Sequence, residues 1–199
     1  MKKQLLIFLT ASLLLHFGHC EGQTSKGSFL IGGSVSIQNT DTEVSGVDQE
    51  TFSLSISPNV SYFPVNNLAI GILFPYSFTN DKTSDNKTTS LRVGPQVRYY
   101  FIFSQLGVFV RVGYNFGKIN SEGQIFDIVS GGSITDETEG DQTNFNVGFG
   151  VSYFINDNVG LEAIISYNRF ETDYDEFFSD FIIKTLQLRI GLLFYLSKN

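Results

Sequence analysis

The stretch Thr185-Leu186-Gln187-Leu188-Arg189-Ile190-Gly191-Leu192-Leu193-Phe194-Tyr195-Leu196 carries an apolar residue at every second position. Leu186, Leu188, Ile190, Leu192, Phe194 and Leu196 fall on one side; Thr185, Gln187, Arg189 and Gly191 fall on the other. Successive side chains of an extended chain point to opposite faces, so this is a strand with one oily and one polar face. The pattern recurs in seven upstream segments, residues 28–38, 51–63, 68–78, 90–101, 107–117, 144–155 and 159–170. Each has roughly 11 residues, the length a tilted strand needs to cross a bilayer.

The connections alternate in kind. Short turns at 64–67, 102–105 and 156–158 are separated by long polar stretches at 39–50, 79–89, 118–143 and 171–184. Tight turns at one rim and long loops at the other are the mark of an up-and-down barrel. Seventeen of the 20 acidic residues lie in the four long stretches, which concentrates negative charge at one rim. The expected fold is all-β, an eight-stranded antiparallel barrel. An even strand number puts both termini at the short-turn rim.

Period-two alternation alone does not separate a membrane barrel from a soluble one with its oily face turned inward. The polar face decides. A soluble barrel exposes that face to water and fills it with Lys and Glu. Here it holds Ser53, Ser55, Ser57, Asn59 and Ser61 in the second segment and Asn144, Asn146, Gly148, Gly150 and Ser152 in the sixth. None of the eight segments contains a lysine. Small polar groups suit the narrow interior of an eight-stranded barrel, and Tyr and Phe toward the ends of the oily face suit a membrane interface. The oily face is therefore read as lipid-facing, and the barrel as transmembrane.

Residues 1–22 read as a signal peptide: Lys2 and Lys3, then an apolar run over 5–17 too short to span a membrane as a helix. Cleavage is expected after Gly22 with Cys20 at the third position before it; cleavage after Cys20 is the alternative. Lipidation of Cys20 is disfavoured because His19, not a small residue, precedes it. Residues 23–199 then form the barrel domain, with 11 Lys and Arg against 19 Asp and Glu, and no His, Cys or Trp. That composition excludes a Ser-His-Asp arrangement, a thiol nucleophile, a His/Cys metal site and a disulfide. The negative charge argues against a nucleic-acid partner. Asp173, Asp175, Glu176 and Asp180, or Asp136, Glu137, Glu139 and Asp141, supply carboxylates for Ca²⁺, but neither run has the spacing of a calcium loop, so solvated acidity is the expectation. No catalytic residue, cofactor or metal is expected.

The charges on the polar face are few: Arg92, Arg98, Arg111, Glu162 and Arg189. They are expected to form an interior network that keeps the barrel plugged, with Arg189 a partner of Glu162; gating of a narrow channel is the alternative. Pro58 and Pro95 stand mid-segment on the oily face, where a bulge or kink is expected.

The strings Gln23-Thr24-Ser25-Lys26-Gly27-Ser28-Phe29-Leu30-Ile31-Gly32-Gly33-Ser34, Ser57-Pro58-Asn59-Val60-Ser61-Tyr62-Phe63, Asn66-Asn67-Leu68-Ala69-Ile70-Gly71, Val93-Gly94-Pro95-Gln96-Val97-Arg98-Tyr99-Tyr100-Phe101 and Tyr153-Phe154-Ile155-Asn156-Asp157-Asn158-Val159-Gly160-Leu161-Glu162 resemble landmarks of small outer-membrane β-barrel proteins of Gram-negative bacteria. The resemblance spans residues 23–199. It implies an OmpA/OmpX-like barrel in the outer membrane, inserted by the barrel-assembly machinery, with both termini periplasmic. It also implies that an aromatic near the end of the last strand, here Phe194 or Tyr195, is an assembly signal, although Leu196-Ser197-Lys198-Asn199 follow. It supplies no activity. The expected role is that of a monomeric structural or surface-interaction protein, touching outer-membrane lipid through its wall and a surface ligand through its loops, with a narrow solute channel as the alternative.

Overall fold

The computed structural model describes residues 23–44, 47–84, 86–127, 132–174 and 181–196, so the signal-peptide reading lies outside the described residues. The described residues form nine strands: β1 (Phe29–Val44), β2 (Val47–Val65), β3 (Leu68–Leu73), β4 (Tyr76–Asp81), β5 (Asn86–Phe103), β6 (Leu106–Asp127), β7 (Gly132–Phe154), β8 (Val159–Tyr174) and β9 (Phe181–Leu196). β3 and β4 both lie between β2 and β5 and make one stave, so the wall has eight staves. Every pairing is antiparallel, and β1 bonds to both β2 and β9, which closes the ring. Closure leaves no sheet edge to satisfy in lipid, the condition for a strand structure to cross a bilayer.

The alternation holds. Ile165, Leu188, Ile190 and Phe149 face outward at more than half exposure, while Ser57, Asn59, Ser61, Asn144, Asn146 and Ser152 are buried inside. Tight turns follow β2 and β5, where Asn67 (φ 66°) and Ser104 (φ 54°) take the left-handed conformation that two-residue hairpins require.

Two expectations are corrected. The polar stretches 39–50, 79–89 and 118–143 are mostly ladder, not loop: β1 and β2 pair out to Val44↔Val47, β4 and β5 to Asp81↔Asn86, β6 and β7 to Asp127↔Gly132. The residues 171–174 and 181–184 likewise belong to β8 and β9. Pairing thus continues after the apolar alternation has ended. The second correction concerns Pro58 and Pro95. Neither makes a bulge: Ile56↔Tyr76 and Asn59↔Leu73 keep one register across Pro58, and Val93↔Phe116 and Gln96↔Gly113 keep one across Pro95. Each proline lacks a donor N–H, so it leaves a gap in the ladder without adding a residue. Pro75, opposite Ser57 in that register, divides β3 from β4, with Phe74 N on Pro58 O and Arg92 N on Pro75 O (both 2.9 Å) bridging the gap. The register does shift between Tyr62 and Val65, beside Pro64 at the turn.

The ladders differ in length. β6–β7 has 22 paired residues and β1–β2 has 16, whereas β1–β9 has seven, from Phe29↔Leu196 to Val35↔Ile190.

Candidate functional site: the barrel interior

The inward side chains change character along the barrel axis. Within a few residues of each short turn they are apolar: Leu30, Phe63, Tyr100, Phe109, Phe154 and Tyr195 are at most 2% exposed and form one cluster. Tyr100 lies between Phe63 and Phe109, with ring centroids at 6.0 and 5.2 Å, and Phe154 meets Tyr195 edge-on at 5.4 Å. Tilted and edge-on pairs at these distances are favourable beyond their area burial. Residues 23–28 strap this rim. Gly27 N donates to Phe63 O (2.8 Å), Thr24 Oγ1 to Asn67 Oδ1 (2.6 Å), Lys26 N to Asn66 Oδ1 (2.8 Å) and Gln23 Nε2 to Asn156 O (3.2 Å). The strap thus spans the first and third short turns, and the short-turn end is closed by rings and backbone.

Above the plug stands an ion pair. Arg98 Nη1 donates to Glu162 Oε2 at 2.6 Å, and both side chains are fully buried. Arg98 Nε donates to Gln96 Oε1 (3.3 Å), and the guanidinium lies over the Phe109 ring at 5.3 Å. A buried charge pair needs such further bonds, because desolvation of two ions competes with their attraction.

Toward the long-loop rim the wall turns to amides and hydroxyls. Asn146 Nδ2 donates to Asn144 Oδ1 (3.1 Å), and Asn168 Nδ2 to Ser166 Oγ (3.3 Å). Arg92 Nη1 donates to Ser90 Oγ (2.5 Å) and to Gln142 Oε1, while Gln142 Nε2 reaches Thr172 Oγ1 (3.0 Å) and Phe170 lies beneath Arg92 at 5.1 Å. Arg189 Nη2 donates to Gln187 Oε1 (2.6 Å).

All five charged residues read from the polar face are therefore interior, none more than 6% exposed. The structure brings Arg98 and Glu162 together. It gives Arg189 to Gln187 rather than to Glu162, and Arg92 to Gln142. Arg111 has no hydrogen-bond partner on any guanidinium nitrogen among the described residues. Phe194 faces outward at 45% exposure and Tyr195 inward into the plug, so the two residues of the last aromatic pair stand on opposite faces. The plug escaped the sequence reading. Its signal is the loss of alternation beside the turns, as in Tyr153-Phe154-Ile155 and Leu192-Leu193-Phe194-Tyr195-Leu196, where both faces are apolar.

At the opposite rim, Asp141 pairs with Lys118 (2.8 Å) and Glu50 with Lys82 (3.3 Å), both pairs well exposed. Asp175, Glu176 and Asp180 lie outside the described residues.

The sequence profile of an outer membrane protein beta-barrel domain matches residues 7–194. Among solved structures, the chain is similar to Neisserial surface protein A, at 16% identity and a TM-score of 0.51 over 87% of this chain and 98% of that one. It is similar to the outer membrane protein OprG from Pseudomonas aeruginosa, at 10% identity and a TM-score of 0.52 over 90% and 100%. The β domain of the Bordetella autotransporter BrkA gives 13% and 0.51 over 84% and 70%. No curated protein matches the chain. At these identities the likeness to the solved structures is one of fold.

Proposed function

We propose that this chain, which belongs to the outer-membrane β-barrel protein family of Gram-negative bacteria, is a non-enzymatic structural or surface-interaction protein with a plugged interior. The observation that supports this reading is the closed short-turn end. Six large side chains fill the bore, and the strap at 23–28 bonds across two turns beneath them. A solute path would have to displace packed rings and break the fully buried Arg98–Glu162 pair. The long hairpins offer the material for contacts outside. β6 and β7 stay paired nine residues past Lys118↔Asp141, to Asp127↔Gly132. At about 3.3 Å per residue that is a ribbon of roughly 30 Å.

In this reading both termini are periplasmic, the hairpins face outward from the cell, and the acidic rim meets a surface ligand. The outward band of Leu, Ile, Val and aromatic side chains contacts outer-membrane lipid as a monomer. Phe194, the outward member of the last aromatic pair, serves the barrel-assembly machinery as the terminal signal, with Tyr195 locked in the plug.

Planar-bilayer recording tests the proposal. The refolded protein is expected to insert without steady unitary current. Stable single-channel steps would favour the narrow channel instead.

A further inference from the structure

Among the described residues the membrane-spanning interior contains four guanidinium groups, Arg92, Arg98, Arg111 and Arg189, and one carboxylate, Glu162. The balance is three positive charges in a space that water barely reaches. Arginine cannot discharge the excess by losing a proton. Each of the other three has an acceptor: Glu162 for Arg98, Gln142 for Arg92, Gln187 for Arg189. Arg111 is 0% exposed, and its Nε, Nη1 and Nη2 all lack a partner.

Its ladder partners offer it no acceptor. Across the ladder toward β7 its partner is Gly148, and two residues along its own strand on the same face is Gly113. Neither has a side chain of its own: Ile164 fills the space over Gly148, and the Asn146 amide lies over Gly113 with its Oδ1, like Glu162 Oε1, unpartnered. Toward β5 its direct partner is Arg98, another cation, whose Nη2 is also unpartnered. Directly opposed residues of an antiparallel pair bring their Cβ atoms within about 5 Å, and like charges there repel. A buried ion with no partner is several kcal/mol unfavourable. Two neighbouring guanidiniums with four free N–H-bearing nitrogens between them are, by the same chemistry, an anion receptor.

We propose that Arg111 and Arg98 together hold a small inorganic anion of chloride size inside the barrel. The anion accepts from Arg111 and from Arg98 Nη2, and leaves the Arg98–Glu162 bond in place. It lowers the interior excess from three charges to two. Entry is from the long-loop end, because the plug closes the other. Arg189 and Arg92 stand toward that end, each held by its own amide acceptor. The proposal is independent of what the outer hairpins touch and of whether the barrel conducts.

The test uses the full chain refolded in detergent micelles, with chloride exchanged for gluconate at fixed pH and ionic strength. Gluconate screens charge equally but is too large for an enclosed site. Above the dissociation constant, a tenfold rise in chloride is expected to raise the folded-to-unfolded ratio tenfold. Arg111→Met removes the unpaired charge and should fold, with the chloride response lost; Arg189→Met should keep it. Crystals grown in bromide should show an anomalous peak between Arg98 and Arg111. Equal stability in chloride and gluconate, a chloride response that survives Arg111→Met or disappears with Arg189→Met, or the absence of bromide between the two guanidiniums would each overturn the site. The bromide crystals decide the matter from the unaltered protein if Arg111→Met fails to refold.

Discussion

Glu162→Gln is the sharpest perturbation of this interior. The substitution keeps the shape and deletes the only interior carboxylate among the described residues, so Arg98 keeps its place 2.6 Å away and loses its counter-charge. Both side chains are 0% exposed, so no bulk water screens the change. Removing one member of a buried ion pair costs about 3–5 kcal/mol, because the other charge stays behind. At 1.4 kcal/mol per tenfold, the folded-to-unfolded ratio should fall by about two to nearly four orders of magnitude. The assay is equilibrium urea unfolding in detergent micelles, read by the heat-modifiable gel shift and by tyrosine fluorescence, in gluconate buffer so that no small anion compensates. The companion variant Glu162→Gln/Arg98→Met replaces both ions, and a buried pair exchanged for groups of similar volume is often neutral. It should recover most of the loss. A Glu162→Gln cost below about 1 kcal/mol, or a double variant as unstable as the single, would refute the claim that pairing of these two residues governs interior stability.

Further outcomes follow from the two faces of the wall. Ile165, 52% exposed at mid-stave on β8, should lose about 2–4 kcal/mol on Ile165→Arg in liposomes, the scale for a cation at the bilayer midplane, and much less if the face met water. Phe109 is buried against Tyr100 and beneath Arg98. Phe109→Ala should cost about 3–5 kcal/mol in the same unfolding assay. It should also introduce a small bilayer conductance that the unaltered chain lacks, and silence with full stability would show that this ring does not seal the bore.

The wall was legible in the sequence because lipid and lumen impose opposite demands on alternate residues. The segment 144–155 shows it well: Phe145, Val147 and Phe149 emerge outward, with Asn144 and Asn146 inside. Legibility ended where one demand lapsed. Past Lys118 the apolar alternation stops while the ladder to Asp127 continues. Beside the turns both faces are apolar, so the parity that sends Phe109 inward with Arg111 does not by itself announce a plug. The charged residues were identifiable as interior, since nothing else tolerates them mid-stave. Their pairings were not. Which arginine reaches Glu162 depends on the stagger between β5 and β8, which are not neighbours in the ring, and no residue pattern encodes that distance.

The ladder between β1 and β9 has seven paired residues where β1–β2 has 16. It joins residues 29–35 to residues 190–196, almost the whole length of the chain apart, so it is the contact with the greatest loop-closure entropy and the fewest bonds to reward it. The other staves are joined by turns and can zip from them one after another. The β1–β9 clasp has no turn to start from. It is therefore expected to fasten last in assembly and open first under stress, so that the inserted barrel lasts as long as that single short run of bonds rather than as long as the tall hairpins.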